Sequence, residues 1–223
     1  MLQLLTSGNF LLALAFALAA VIAIVLHELA HGYVAYKCGD PTAKMYGRLT
    51  LNPVKHFDLV GFLLMIFVGF GWAKPVPINP ANLHNYRRDL FLVSVAGVTF
   101  NFILAFLAYP IAELIGMIPI YSQGALIIAE FFFYFFTYLF QVNMTLMVFN
   151  LIPIYPLDGF RIIESITRPY NKFVRFMQTY GMYFLIGFLI FDEILYYTLN
   201  INIIGMLVDI ICYPIMWFWG LIF

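Results

Sequence analysis

Residues 27–31 read His-Glu-Leu-Ala-His. On a helix, side chains four apart share a face, so His27 and His31 can aim two imidazoles at one metal ion. Glu28 is rotated by about 100° from His27 at 3.6 residues per turn. From there it reaches a water on that metal without ligating it. At this chain's His and Glu frequencies a chance HExxH is on the order of one in a thousand. Residues 1–26 carry no charged side chain, so the cluster lies on the end of an apolar span. Ionisable groups in a membrane are expensive and mark function by default. The plainer alternatives are a polar cluster that pairs internally, or a helix end facing water.

A catalytic zinc takes three protein ligands and keeps an open position. His84 lies in a polar loop beside Arg87 and Arg88 and reads as solvated. His56 follows Lys55 near a charged surface block. Asp158 is placed differently, at the end of Asn150-Leu151-Ile152-Pro153-Ile154-Tyr155-Pro156-Leu157-Asp158-Gly159. Pro153 and Pro156 remove backbone donors and break the helix, and Gly159 allows close backbone approach. A carboxylate in so irregular a segment can turn toward a neighbouring helix. Asp beside Pro and Gly also simply begins turns, and the residues alone leave both readings open.

The elements that carry these residues are membrane spans. Of 223 residues 64% are hydrophobic and only 10% are charged, against about 25% in a soluble domain. That leaves too little polar surface to coat a soluble globule. The formal net charge of +0 excludes nucleic acid as a partner. Cys38 and Cys212 form no CxxC and read as small buried hydrophobes. A span needs about 20 apolar residues. Qualifying stretches run from Asn9 to about Tyr36, Leu90 to about Ile111 and about Leu126 to Pro153. Two more follow Phe176, split near Asn200–Asn202. The first stretch has no basic leader and reads as a retained span rather than a signal peptide.

All 11 basic residues fall in three blocks, 37–55, 74–88 and 161–175. The positive-inside rule places all three on the cytoplasmic side. Residues 90–153 and 176–223 then each cross twice, and the short apolar stretch 57–72 dips in and returns unless it forms a sixth span. Between the first two spans, Lys44–Leu51 and Trp72–Ile78 read as short strands. The expected fold is an all-α membrane protein, a polytopic bundle of five to six spans with a small β or re-entrant segment. It is one domain over 1–223, with a core at about 9–160 and two additional spans in 176–223.

HELAHG at 27–32 together with NLIPIYPLDG at 150–159 resembles the site-2 protease family of intramembrane zinc metalloproteases. That family's pattern is HExxH on one span and NxxPxxPLDG on a later one. The resemblance implies one Zn2+ per chain held by His27, His31 and Asp158. It implies Glu28 as general base and Asn150 as a group holding substrate or the tetrahedral intermediate. A glycine and an asparagine four apart on the intervening span are a third family feature. Gly97 and Asn101 match it, with Val98 where the family often has proline. The segments 51–58 and 71–80 resemble the compact bacterial and archaeal branch, without PDZ or CBS domains. The likeness covers about 21–160.

The implied chemistry is peptide-bond hydrolysis in regulated intramembrane proteolysis. Glu28 takes a proton from the water and delivers it to the leaving amine, with Asn150 or Asn101 as oxyanion donor. Both asparagines also suit interhelical hydrogen bonding. His31 lies a few residues before Lys37, which sets the metal roughly 10 Å below the cytoplasmic surface of a prokaryotic plasma membrane. The substrate class is a transmembrane helix, locally unwound in the bilayer. The Trp72–Ile78 stretch then offers an edge for strand addition, or is a surface loop. Two other classes compete. A metal or proton transporter would use the same His and Asp groups, but carriers show paired broken-helix repeats and have no need of Glu28. An inactive zinc-binding scaffold would not need Glu28 either. Oligomeric state is not readable.

Overall fold

A computed structural model describes residues 9–56, 58, 61, 74–119, 121–168 and 171–223. Its α-helices are α1 (Phe10–Lys37), α2 (Thr42–Met45), α3 (Tyr86–Gly116), α4 (Gln123–Leu151), α5 (Asp158–Ile166), α6 (Lys172–Leu199) and α7 (Ile203–Gly220). Five of them, α1, α3, α4, α6 and α7, are long and apolar enough to cross a membrane. The chain is a multi-pass, all-α membrane protein. The dip expected over 57–72 falls outside the described residues, apart from 58 and 61.

The bundle centre is built from α1, α3 and α4, which pack pairwise against one another. Along α1, Ala15, Ala19, Ala23, His27, His31 and Ala35 recur every four residues, and all are buried. Lipid gives no hydrophobic drive between helices, so small side chains that let backbones approach closely do the packing. The buried face of α3 follows the same rule, with Leu90, Ser94, Gly97, Asn101, Ala105, Ala108 and Ala112 at spacings of three or four. Larger residues of α4, among them Phe140, Met144 and Met147, fill the space these leave. The outward faces carry Leu14, Leu18, Phe102, Ile103 and Leu107 exposed, the surface that acyl chains require.

Local chemistry ends the helices. Gly39 takes φ +105° after α1. Its N–H donates to Tyr36 O at 3.2 Å and that of Asp40 to Ala35 O at 2.9 Å, the paired bonds of a Schellman stop. Asn85 caps α3 by accepting from Arg88 N–H, and Asp89 accepts from Asn85 N–H in return. Pro110 within α3 has no N–H for the carbonyl of Phe106. Trp219 Nε1–H of α7 donates to that carbonyl instead, at 3.1 Å. Trp219 is thus a specific interhelical tie. The split near Asn200–Asn202 is a left-handed Asn200 followed by Asn202 capping Gly205 N–H.

No strand occurs among the described residues, which corrects the expectation over 44–51 and over 74–78, the described part of the second stretch. Asp40 accepts from the N–H and hydroxyl of Thr42, a local turn that starts α2 and takes Lys44 and Met45 into a helix. Gly47 then turns the chain with φ +62°. At 74–78 the chain is not in a ladder, and Trp72 and Ala73 lie outside the described residues. Pro75 and Pro77 carry no N–H, and Val76 N–H is spent on Glu28. The carbonyls of Lys74 and Pro75 accept from Arg48. Val76 N–H and the carbonyls of Lys74 and Pro75 are thus already engaged.

Candidate metal centre

His27 and His31 stand one turn apart on the buried face of α1, with ring centroids 4.6 Å apart. Their Nε2 atoms approach to 3.0 Å. Asp158, the first residue of α5, brings Oδ2 to 3.3 Å from His27 Nε2 and 3.0 Å from His31 Nε2. The three form the cluster that could hold a metal ion among the described residues.

The position of Asp158 follows from how α5 is held. After α4 the chain turns through 152–157, with Leu157 N–H donating to Ile154 O at 2.9 Å. A β-carbon on Gly159 would fall 2.7 Å from Ile152 O, so only glycine lets α5 lie this close to the end of α4. Phe160 is 1% exposed and stacks edge-on with Tyr155. On the outer side, Glu164 accepts from Gln178 Nε2 at 2.8 Å and from Tyr86 OH at 3.4 Å, linking α5 to α6 and α3. The carboxylate therefore faces α1 from a short helix fixed on three sides.

The second ring nitrogens set the tautomers. His31 Nδ1–H donates to Val93 O of α3 at 2.6 Å. The Asn101 carboxamide, fully buried on α3, places its Nδ2 3.1 Å from His27 Nδ1. Its oxygen is otherwise without a partner among the described residues. An amide can present either end. Turning the oxygen to the ring satisfies it and fixes the proton on Nδ1. Both Nε2 atoms then carry lone pairs, and Asp158 Oδ2 is an acceptor that also lacks a hydrogen-bond partner. Three acceptors converge within 3.3 Å. A single proton serves one pair of them, whereas a cation serves all three.

Zinc fits that space. Tetrahedral ligands about 2.0–2.2 Å from the ion stand about 3.3–3.6 Å from one another, within a few tenths of an ångström of the separations here. Two nitrogens and one carboxylate oxygen are a usual donor set for catalytic zinc. Gly97 makes room: a β-carbon there would overlap His31 Nε2 and sit 2.7 Å from His27 Nδ1.

Glu28 stays off the cluster. Its Oε2 accepts from Val76 N–H at 2.7 Å, a bond that does not engage Oε1. Asn150 sends Nδ2 to Leu146 O of its own helix at 3.0 Å and is not joined to the metal cluster. Of the residues singled out from sequence, the structure brings together His27, His31, Asp158 and Asn101, with Gly97 beneath them. It leaves Asn150 aside. His84 packs against Gly39, and His56 is buried with Nε2 on Thr50 O. Sequence reasoning missed the backbone partners Val93 and Val76, since a carbonyl or an N–H has no residue type to read. It also missed Asn143, buried with its Oδ1 unpaired among the described residues.

Comparison with known proteins identifies a family. Residues 108–190 match the model of peptidase family M50. Over 152 residues the chain is 44% identical to a Bacillus subtilis (strain 168) protein named "Putative zinc metalloprotease YwhC", covering 67% of each chain. Over 156 residues it is 32% identical to a Mycobacterium tuberculosis (strain ATCC 25618 / H37Rv) protein named "Putative zinc metalloprotease Rip2". That match covers 67% of this chain and 56% of the relative. No solved structure gives a significant match.

Proposed function

Because the chain belongs to peptidase family M50, we propose that it hydrolyses peptide bonds of transmembrane proteins inside the bilayer. Zinc is the cofactor, and we assign its ligands as His27 Nε2, His31 Nε2 and Asp158 Oδ2. The observation that carries the reading is the convergence of these three acceptors beside a carboxylate that does not join them.

When bound, zinc supplies Lewis-acid polarisation of a carbonyl and acidifies a water to a pKa of about 7. The chain's residues do the rest. Glu28 Oε1 takes the water's proton and carries it to the leaving nitrogen. Asn101 holds the His27 ring in its ligating tautomer, and the backbone of Val93 does the same for His31. Asn150, on the α4 end beside the broken segment, is assigned to the substrate carbonyl. His31 precedes the basic residue Lys37 by less than two turns of α1, which supports a site in the cytoplasmic half of a plasma membrane. Proline-broken chain at 152–157 lines the approach that water and an unwound substrate use.

The test compares wild type with Glu28→Gln on a membrane-embedded reporter, with zinc measured in both. The expected result is one zinc per chain in each and a fall of at least 100-fold in cleavage for the variant. Cleavage by Glu28→Gln at the wild-type rate would falsify the proposed chemistry.

A further inference from the structure

We propose that Asp40 is a positioning residue for Glu28, acting by clasping the chain at 74–82 so that the Val76 N–H orients the Glu28 carboxylate. The inference rests on the proteolytic reading of Glu28.

Val76 is the middle of Lys74-Pro75-Val76-Pro77-Ile78. Its two neighbours have fixed φ and no N–H, so the stretch is stiff and offers one donor at this point. That donor meets Glu28 Oε2 at 2.7 Å. The side chain of Val76 is buried and rests on Gly32, one turn beyond Glu28 on the same face of α1. A β-carbon at position 32 would stand 2.9 Å from Val76 Cγ1. Gly32 therefore sets how closely the stretch lies on α1, and Val76 N–H sets what the carboxylate points at.

A stretch outside any helix or sheet needs fastening at both ends to hold such a contact. At the near end, Arg48 Nη2 donates to the carbonyls of Lys74 and Pro75, and Lys74 N–H donates to His56 O at 3.0 Å. At the far end the fastening is Asp40. Its Oδ2 accepts from Asn79 N–H at 2.7 Å, and its Oδ1 from Asn82 Nδ2 at 2.8 Å. Oδ1 also accepts from the N–H and hydroxyl of Thr42. Asp40 is fully buried, and the Schellman stop of α1 places it, so this clasp is rigid with the helix that carries Glu28.

The consequence is directional. With Oε2 held by a backbone donor, the same oxygen, Oε1, both takes the proton and gives it up. Freed from Val76, the carboxylate samples rotamers in which neither oxygen faces the water. Misplacement of about 1 Å costs on the order of 100-fold in rate.

The test uses the full chain in lipid nanodiscs. Asp40→Ala should lower kcat by 10- to 100-fold, keep KM within threefold and keep one zinc per chain. Val76→Pro removes the N–H donor while leaving Asp40 alone, and should reproduce the kcat loss if Asp40→Ala does not fold. In a Glu28→Asp background, whose shorter side chain cannot reach Val76, Asp40→Ala should cost less than threefold more. A purely structural Asp40 would cost as much there as in wild type, and that result overturns the proposal. So does wild-type kcat in both single variants. Hydrogen exchange over 74–78 reads the clasp without cleavage: it should quicken at least 10-fold in Asp40→Ala, and unchanged exchange also overturns the proposal. A wild-type chain that never cleaves, yet shows the quickened exchange, refutes the proteolytic reading and with it any role of the clasp in catalysis, while leaving the contact itself in place.

Discussion

Replacing Gly97 with alanine adds one methyl group to α3 where the imidazoles pass over it. That carbon would overlap His31 Nε2 and lie 2.6 Å from His27 Cε1 and 2.7 Å from His27 Nδ1. Carbon contacts settle at about 3.5–4.0 Å, so the rings, or α3 itself, must shift by about 1 Å. The proposed ligand triangle has sides of 3.0–3.3 Å, and metal sites hold their distances within about 0.2 Å. A 1 Å shift therefore removes at least one ligand from range. Zinc affinity should fall by more than the 10- to 100-fold typical of losing an outer partner. Cleavage should fall by on the order of 100-fold, about 2.7 kcal/mol in barrier. Helix propensity works the other way, since alanine favours a helix interior by about 1 kcal/mol over glycine. A loss of zinc without loss of helix is thus the specific signature. The assay is zinc titration against a competing chelator, with circular dichroism and reporter cleavage on the same sample. Wild-type zinc affinity together with a wild-type rate in Gly97→Ala would refute the packing argument and the assignment of both Nε2 atoms to the ion.

Asn101→Ala should weaken zinc binding 10- to 100-fold, and Asn150→Ala should lower kcat while leaving zinc binding unchanged; chelator competition and steady-state kinetics separate the two. Asp192, buried on α6, accepts from Ile203 N–H of α7 at 2.6 Å. Asp192→Ala should destabilise the α6–α7 pair by roughly 1 kcal/mol, read by unfolding in detergent with zinc content unchanged. Burial opposes the charge on Asp40, yet the hydrogen bonds from Thr42, Asn82 and the backbone hold its carboxyl below its ordinary value of 3.8. A depressed folded value gives stability present above the unfolded pKa and lost as pH falls through the folded one. The stability gap between wild type and Asp40→Asn should therefore be full near neutrality and shrink as pH drops below about 3.8; a gap independent of pH contradicts the assignment.

The spans were legible because a bilayer imposes length and apolarity on any helix that crosses it. The break at Asn200–Asn202 was legible because asparagine tolerates left-handed backbone and caps helices. Spacing of four made His27 and His31 neighbours before any coordinates. Other features were hidden for definite reasons. Proline-rich alternation at 72–78 looked strand-like, but a strand needs donors that Pro75 and Pro77 lack. At 44–51 the local turn on Asp40 outweighed β-propensity, since its hydrogen bonds form within three residues and need no partner strand. Pro110 and Trp219 are far apart in sequence, so the carbonyl that one leaves open and the other fills shows only in the folded chain.

The two asparagines show why residue type alone does not assign a role. Both were candidates for the oxyanion and both for glue. Asn101 is fully buried beside the ring of a proposed ligand, and its carboxamide cannot leave without stranding His27 Nδ1. It is committed to the ligand and has no freedom to meet a substrate. Asn150 is half-buried, and its Nδ2 rests on a carbonyl four residues back in its own helix. That position also serves the helix ladder, so the side-chain bond is supplementary and easily exchanged for a substrate carbonyl. It also sits where α4 gives way to the irregular segment leading to Asp158. On the proposed reading, the division of labour follows from how far each carboxamide is already engaged: the engaged one would shape the metal ligand, and the loosely held one would be left for the peptide being cut.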